Sequence, residues 1–134
     1  MAESAAVTDT HALLFHAAGG RRLGTNARAL FRAAEERRAL IYVPIAVVWE
    51  VTTLTRSGRL MLNRPTREFF GDLFSNPSYQ AHTLDASQVF DAGEITALRD
   101  PFDALICAAA LDLSLPLITR DAAIVEARRV KTVW

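Results

Sequence analysis

Asp100–Asp121, which reads DPFDALICAAALDLSLPLITRD, holds the clearest structural pattern in this chain. Asp100 followed by Pro101 is a typical helix start, because aspartate caps free backbone N–H groups and proline needs no donor at the first helical position. The apolar run Leu115–Ile118 predicts a short buried strand. A helix that leads into a buried strand is half of a parallel α/β unit. Before that strand, apolar residues recur at helical spacing, namely Phe102, Leu105, Ile106, Ala109 and Leu113.

Strands and helices alternate through the rest of the sequence. The strand at 79–84 alternates rather than being solidly apolar, which indicates a place near an edge of the sheet. Thr10 is predicted to cap the first helix. With no linker, repeat or low-complexity segment, we predict a single domain, residues 1–134, folded as a three-layer α/β/α sandwich around a mostly parallel sheet. Further predicted strands cover residues 5–8, 40–43 and 130–134, and further helices cover 11–18, 25–38, 45–56, a segment from Pro65, 86–92 and 122–127.

The composition is that of a globular domain. Hydrophobic residues make up 51% of the chain, and no apolar run approaches the roughly 18 residues of a membrane span. The first residues, MAESAAVTDTH, lack the basic start and apolar segment of a secretory signal peptide. The single cysteine, Cys107, rules out a disulfide framework and is predicted to be a buried small hydrophobe. We therefore expect a cytoplasmic protein that does not enter a membrane.

Charge is unevenly distributed although the net charge is zero. Residues 1–67 hold ten arginines and five acids, whereas residues 68–134 hold five basic groups and ten acids. Arginine binds phosphate through two parallel hydrogen bonds. A local basic rim that binds a nucleic acid is therefore compatible with a net charge of zero. The candidate phosphate contacts are Arg21, Arg22, Arg56, Arg59 and Arg64.

Four acids are expected at one edge of the predicted sheet. Asp9 ends the first strand, Asp121 ends the strand at 117–119, and Asp103 lies in the first turn of the intervening helix. Glu50, about one and a half turns into the helix after the second strand, can lean over the same edge. Clustered carboxylates repel one another unless protons or cations neutralise them. Oxygen ligands of this kind suit Mg²⁺ or Mn²⁺, which support hydrolysis of phosphodiester bonds.

Each acid also has a purely structural interpretation. Asp9 and Asp121 could cap the helices that follow them, and Asp103 could belong to a local capping arrangement with Asp100. Glu50 could be a solvated helix residue. Asp100 is assigned mainly to capping, with a supporting role at the acidic site left open. The shared strand-end position of the acids, rather than any one of them, favours a metal site.

Other chemistries have less support. His11 and His16 are five residues apart, a poor spacing for one helix face, so shared metal ligation is not expected, and His82 is predicted to be structural. The sequence contains no glycine-rich phosphate loop and no serine nucleophile motif. An aspartyl phosphatase would need a second aspartate two residues after Asp9, where His11 stands, and a lysine at a later strand end. Lys131 is the only lysine.

Six blocks of sequence, taken together, point to a known family. In their order and spacing the chain resembles the VapC-type toxins of bacterial toxin–antitoxin pairs, which are PIN-domain ribonucleases. The resemblance covers nearly the whole chain. The blocks are DTHALLF at Asp9, the pair Trp49-Glu50, SGRL at Ser57, DPFDALI at Asp100, LPLITRD at Leu115 and the closing VKTVW.

The resemblance implies a PIN fold, Mg²⁺ or Mn²⁺ at the acidic site, and cleavage of single-stranded RNA by metal-activated water. Thr119 matches a position that often supports the site by hydrogen bonding. The resemblance also implies a homodimer or a toxin–antitoxin hetero-oligomer, with a small antitoxin whose tail enters the acidic pocket. Dimerisation through the apolar helices at 47–54 and 69–74 fits this expectation. The family's four acids fall on Asp9, Glu50, Asp103 and Asp121.

Two positions depart from the family pattern. Many relatives place histidine before the DPFD block and arginine after it, whereas this chain has Arg99 and Ala104. The acids are unaffected, but the family's substrate choice and its contacts with RNA or antitoxin are not carried over to this chain at these positions. The alternative function is a non-catalytic PIN-like module that binds RNA or a partner without cutting, and intact acids argue against it.

Overall fold

The computed structural model describes residues 4–134 and contains five strands and seven helices within them. The strands are β1 (Ser4–Thr8), β2 (Ala39–Pro44), β3 (Tyr79–His82), β4 (Leu117–Ile118) and β5 (Thr132–Val133). The helices are α1 (Thr10–Ala17), α2 (Thr25–Glu35), α3 (Ile45–Arg56), α4 (Thr66–Ser75), α5 (Ala86–Glu94), α6 (Pro101–Leu113) and α7 (Ala122–Ala127). The predicted alternation of strands and helices is confirmed.

All five strands form one parallel sheet in the order β3-β2-β1-β4-β5. The central strand β1 pairs Val7 with Tyr42 of β2 on one side and with Leu117 of β4 on the other. Because every pair is parallel, the carboxyl ends of all strands lie at the same edge. Helices cover both faces of such a sheet, so the predicted α/β/α sandwich is confirmed. β3 occupies an edge, as its alternating pattern predicted.

The core is built on the central strands and on α6. Val7, Ile41 and Leu117 have no exposed surface, as expected for a parallel sheet covered on both faces. The buried face of α6 consists mainly of alanines, which lets the helix lie close to its neighbours. Cys107 lies on this face and is buried, as predicted, and burial raises the pKa of its thiol. Across residues 4–134, none of the helices has the length and apolar character to span a bilayer.

Two helix ends differ from the prediction. Asp9, not Thr10, caps α1: its Oδ1 accepts the N–H of Ala12 at 2.8 Å. The Thr10 hydroxyl instead donates to Glu50 Oε1 at 2.5 Å, so it is not available to the helix. α2 ends at Glu35 rather than at residue 38, because Arg37 takes the left-handed backbone conformation with φ of 60°.

Three other boundaries depend on neighbouring segments. β3 ends at His82 rather than Leu84, because its partner β2 ends at Pro44, the residue opposite His82. β5 is limited to Thr132–Val133, since its only neighbour β4 is two residues long. α5 continues through residues 93 and 94 to the buried Ile95, beyond the predicted end at 92. Pairing partners, which the local pattern does not encode, set the strand lengths.

Candidate functional site

The four predicted acids lie at the carboxyl edge of the sheet. Asp9 directly follows β1, and Asp121 follows the neighbouring strand β4 after two residues. Asp103 is in the first turn of α6, and Glu50 is in the second turn of α3, the helix that leaves β2. The hydrogen bond from Thr10 to Glu50 joins α1 to α3 at this edge. The parallel topology therefore brings acids from four separate segments to one place.

Asp9 is the most buried of these carboxyl groups, with 6% of its surface exposed. Burial raises its pKa, while hydrogen bonds from the Thr119 side chain and the Ala12 N–H act in the opposite direction. The helix cap uses only one carboxylate oxygen, Oδ1. The capping interpretation and the site interpretation of Asp9 are therefore compatible.

Asp103 has the most strongly perturbed carboxyl group at this edge. Burial, followed by repulsion from Asp100, Asp121, Glu50 and Asp9 in that order, raises its pKa to about 7. Four other carboxyl groups therefore act on Asp103 at electrostatic range, with no cation among the causes. Such a cluster is stabilised by protons at low pH or by a bound cation at neutral pH.

Thr119 connects two of the acids. Its side chain is buried, its hydroxyl accepts the backbone N–H of Asp121 at 3.0 Å, and its hydrogen bonding lowers the pKa of Asp9. Asp121 caps α7, accepting the N–H of Ile124 on Oδ1 at 3.0 Å. Thr119 thus holds the start of α7, and with it Asp121, next to Asp9. A hydrogen-bonding threonine at this point agrees with the supporting position expected from the sequence.

Asp100 caps α6, as the sequence predicts. Its Oδ1 accepts the N–H groups of Phe102 at 2.8 Å and of Asp103 at 3.1 Å, and its side chain is exposed. Burial is the main cause of the raised pKa of Glu50, and the charge of Asp100 raises that pKa further. Asp100 therefore contributes to the negative potential of the site from its rim.

The donor set fits a hard divalent cation, but the side chains are not gathered around one point. Among residues 4–134, no three histidine, cysteine, aspartate or glutamate side chains form a group close enough to hold a metal ion. Glu50 is directed to Thr10, and the caps hold Asp9 and Asp121 by one oxygen each. The four acids suit such a cation by their chemistry, because they offer carboxylate oxygens as ligands. A divalent cation would also relieve the repulsion between their charges.

Two arginines line the cleft beside the acids, and the sequence identified only one of them. Arg22, a predicted phosphate contact, lines a cleft of about 480 Å³ together with Asp9 and Asp121. Arg120 lines the same cleft and was missed. Its position directly before Asp121, past the end of a buried strand, was the available indication that it would reach this edge.

The other predicted phosphate contacts do not converge on the acids. Arg56 lies at the far end of α3, and its guanidinium is 5.9 Å from the ring centre of Trp49. Arg64 pairs with Asp72 of α4. Arg21 and Arg59 are exposed in loops outside the acidic cleft, and their assignment remains a prediction.

A larger cleft, of about 840 Å³, contains none of the four acids. It lies near the start of β3, at the opposite end of the sheet. Inside it, the Tyr79 hydroxyl donates to Glu35 at 2.5 Å, and His16 Nε2 lies 3.2 Å from the same hydroxyl. His16 is therefore part of a structural network, as is His82, whose Nε2 lies 2.9 Å from Asp112 Oδ2. Volume alone does not identify the functional site here.

The raised pKa of Asp103 predicts an unusual pH dependence of stability in the metal-free protein. A carboxyl group with a pKa of about 7 in the folded state and about 4 when unfolded binds its proton more tightly when folded. The free energy of unfolding is therefore expected to fall as pH rises from about 4 to about 7. Urea unfolding in EDTA at pH 5.5 and pH 8 measures this difference.

The matched variant for this prediction is Asp103→Asn, which removes the titrating group. Its stability should change less between the two pH values than that of the wild type, and it should exceed the wild type at pH 8. An equal pH dependence in both proteins would contradict the assignment of the raised pKa to Asp103.

Comparison with known proteins places this geometry in a family. The family model described as PIN domain matches residues 6–130. A comparison with curated protein sequences finds no match.

Solved structures show the same fold. VapBC2 from Rickettsia felis, bound to a DNA fragment from its promoter, superposes with a TM-score of 0.71 at 13% identity, over 97% of this chain and 98% of that one. A toxin–antitoxin complex from Klebsiella pneumoniae gives 0.64 at 16% identity, over 96% of each chain. FitAcB from Neisseria gonorrhoeae gives 0.62 at 17% identity, also over 96% of each chain.

Proposed function

The chain belongs to the PIN domain family, and on that premise we propose that it is a divalent-metal-dependent endoribonuclease and the toxin of a toxin–antitoxin pair. PIN domains are generally nucleases. The observation that carries the proposal is the cluster at the sheet's carboxyl edge, where burial and the charges of four other carboxyl groups together raise the pKa of Asp103 to about 7. A cluster of this kind is costly for a protein that neither binds a cation nor uses its acids.

Each of the four acids has a proposed role. Asp9, Asp103 and Asp121 would hold Mg²⁺ or Mn²⁺, with Glu50 as a further ligand or as the group that orients the attacking water. When bound, the ion would activate that water and stabilise the leaving oxygen of the phosphodiester. Thr119 keeps Asp9 and Asp121 in place, and Asp100 adds negative charge at the rim.

Partners are proposed from the fold neighbours. We propose an RNA substrate and a cognate antitoxin. One of the similar structures is described as a toxin–antitoxin complex, and another contains VapBC2. A homodimer or a toxin–antitoxin hetero-oligomer in the cytoplasm is the corresponding assembly. We further propose that residues 1–134 form one domain. Its strands, in the part of the chain that the structure describes, belong to a single sheet.

The experiment is cleavage of a panel of labelled RNAs, including tRNAs, by protein freed from any antitoxin. We expect cutting with Mn²⁺ and none with EDTA, because the water is activated only by the bound ion. The alternative, a non-catalytic module, predicts no cutting and no metal binding. Cutting of equal rate in EDTA would contradict the metal-dependent mechanism.

A further inference from the structure

A second group of side chains lines the cleft of about 480 Å³ together with Asp9, Asp121 and His11. It consists of two arginines and two aromatic rings, and we call it the arginine–aromatic cluster: Phe15, Arg22, Arg120 and Trp134. The cleft is within the range of roughly 300–1,000 Å³ that is usual for small-ligand pockets.

Both guanidinium groups lie against the same aromatic ring. The guanidinium carbon of Arg22 is 4.3 Å from the ring centre of Phe15, and that of Arg120 is 5.1 Å from it. Arg120 also lies 5.5 Å from the ring centre of Trp134. An aromatic face attracts a guanidinium group without accepting hydrogen bonds from all of its N–H groups, so both arginines keep donors available.

Among residues 4–134, the side chains of Arg22 and Arg120 form no ion pair and donate no hydrogen bond. By contrast, Arg28 donates to three backbone carbonyl groups, and Arg38 pairs with Glu36. Two like charges in one cleft repel each other, and an anion bound in that cleft would relieve the repulsion.

The aromatic part of the cluster is held firmly. The carbonyl oxygen of Trp134 accepts the N–H groups of Asn26 at 3.0 Å and Ala27 at 3.2 Å, at the start of α2. A Cβ atom at Gly24 would lie 2.5 Å from Trp134 Cδ1, so only glycine permits this approach. The Trp134 ring meets that of Phe15 edge-on, with 6.2 Å between centres. The rings therefore offer a prearranged apolar surface beside the two charges.

We propose that the arginine–aromatic cluster binds one nucleotide of a single-stranded RNA, next to the phosphodiester that the acids act on. Arg22 and Arg120 would bind its phosphate through charged hydrogen bonds, and Trp134 would stack on its base. Stacking on aromatic rings beside arginines is how proteins bind single strands, whose bases are unpaired. The inference rests on the proposed nuclease function and adds the substrate contacts to it.

Arg120 is the arginine of this cluster that was not among the phosphate contacts expected from the sequence. The sequence assigned phosphate contacts to arginines of the basic first half, whereas Arg120 lies in the acidic second half. Its proximity to Arg22 arises from the fold, since both guanidinium groups lie at the ring of Phe15 in α1, the helix that follows β1, and β4 is the neighbour of β1 in the sheet. The cation and the arginines would thus bind the RNA within one cleft.

The test measures binding of a fluorescein-labelled, random-sequence 12-nucleotide RNA by fluorescence anisotropy in Mg²⁺ between 50 and 200 mM salt. All variants carry Asp103→Asn, so that the RNA stays intact. Each phosphate contact on a single strand contributes about −0.7 to the slope of log affinity against log salt. The double variant should make the slope shallower by about 0.7, because both arginines bind one phosphate, and Arg22→Ala and Arg120→Ala should each produce part of that change.

Two further variants complete the set. Trp134→Ala should weaken binding roughly 5- to 100-fold, and Trp134→Phe should restore most of it, because stacking needs only an aromatic face. Arg38→Ala is the matched control: Arg38 is exposed and directly precedes β2, at the opposite end of the sheet. It should leave both affinity and slope unchanged.

The outcomes separate this inference from the proposed function. If the parent does not bind the RNA, or if the arginine and tryptophan variants bind like Arg38→Ala, the nucleotide site is refuted. If wild-type protein cuts RNA with Mn²⁺ while those variants bind normally, only the nucleotide site fails. If the variants lose binding as expected but wild-type protein never cuts RNA, the nucleotide site stands and the nuclease assignment fails.

Discussion

Asp9→Asn is expected to reduce metal-dependent RNA cleavage by about 10³-fold or more while leaving the fold intact. The substitution removes one of the charges that would hold the cation, an effect of several kcal/mol on the reaction barrier. It preserves the cap of α1, because an asparagine oxygen accepts the Ala12 N–H as well as an aspartate oxygen does. Initial rates with Mn²⁺, together with the unfolding midpoint in urea, measure the two effects separately.

Two comparisons make this result specific. Asp9→Ala should lose activity equally and should also lose about 1 kcal/mol of stability with the cap. Asp85 caps α5 with the same geometry, accepting the N–H of Gln88 at 2.9 Å, and it lies outside the acidic cluster. Asp85→Asn should therefore retain full activity. Full activity in Asp9→Asn, or equal loss in Asp85→Asn, would contradict the site assignment.

Phe31→Ala is expected to lower the free energy of unfolding by about 3–5 kcal/mol, the usual effect of deleting a buried aromatic ring. The Phe31 side chain in α2 is 1% exposed, and its ring stacks on that of His16 with 4.4 Å between centres. Its removal leaves a cavity between α1 and α2. Urea denaturation monitored by circular dichroism measures the change.

Phe90 provides the matched control for this prediction. It lies in α5 and is 70% exposed, so Phe90→Ala should change the unfolding free energy by less than about 0.5 kcal/mol. Phe31→Leu should fall between the two, which keeps the series measurable even if Phe31→Ala does not fold. Equal effects of Phe31→Ala and Phe90→Ala would show that α2 does not pack as described.

The architecture could be predicted from the sequence because the patterns that define its helices and strands are local. The capped, alanine-rich helix from Pro101 and the apolar run after it define one parallel α/β unit without reference to any other segment. Strands followed by acids then imply a common edge, which is where Asp9 and Asp121 lie. The capping interpretation of Asp121 also proved correct, and it does not conflict with the predicted site role because the cap uses only Oδ1.

The features that the sequence missed depend on contacts between distant segments. Thr10 was predicted as a cap, but it donates to Glu50, forty residues later, and no local pattern contains that pairing. The proximity of Arg22 to Arg120 likewise arises from strand order. How closely the acids approach a single ion is set by side-chain rotation, on which sequence spacing has no bearing.

Calorimetric titration of Mn²⁺ into the wild-type protein and into Asp103→Asn at pH 8 measures whether these acids bind a metal ion. At this pH the Asp103 carboxyl, with its pKa of about 7, is mostly ionised, so protons do not compete strongly with the metal. We predict a saturable binding heat in the wild type that Asp103→Asn weakens at least about tenfold. No binding at millimolar Mn²⁺, or equal binding by both proteins, would contradict a metal site at these four acids.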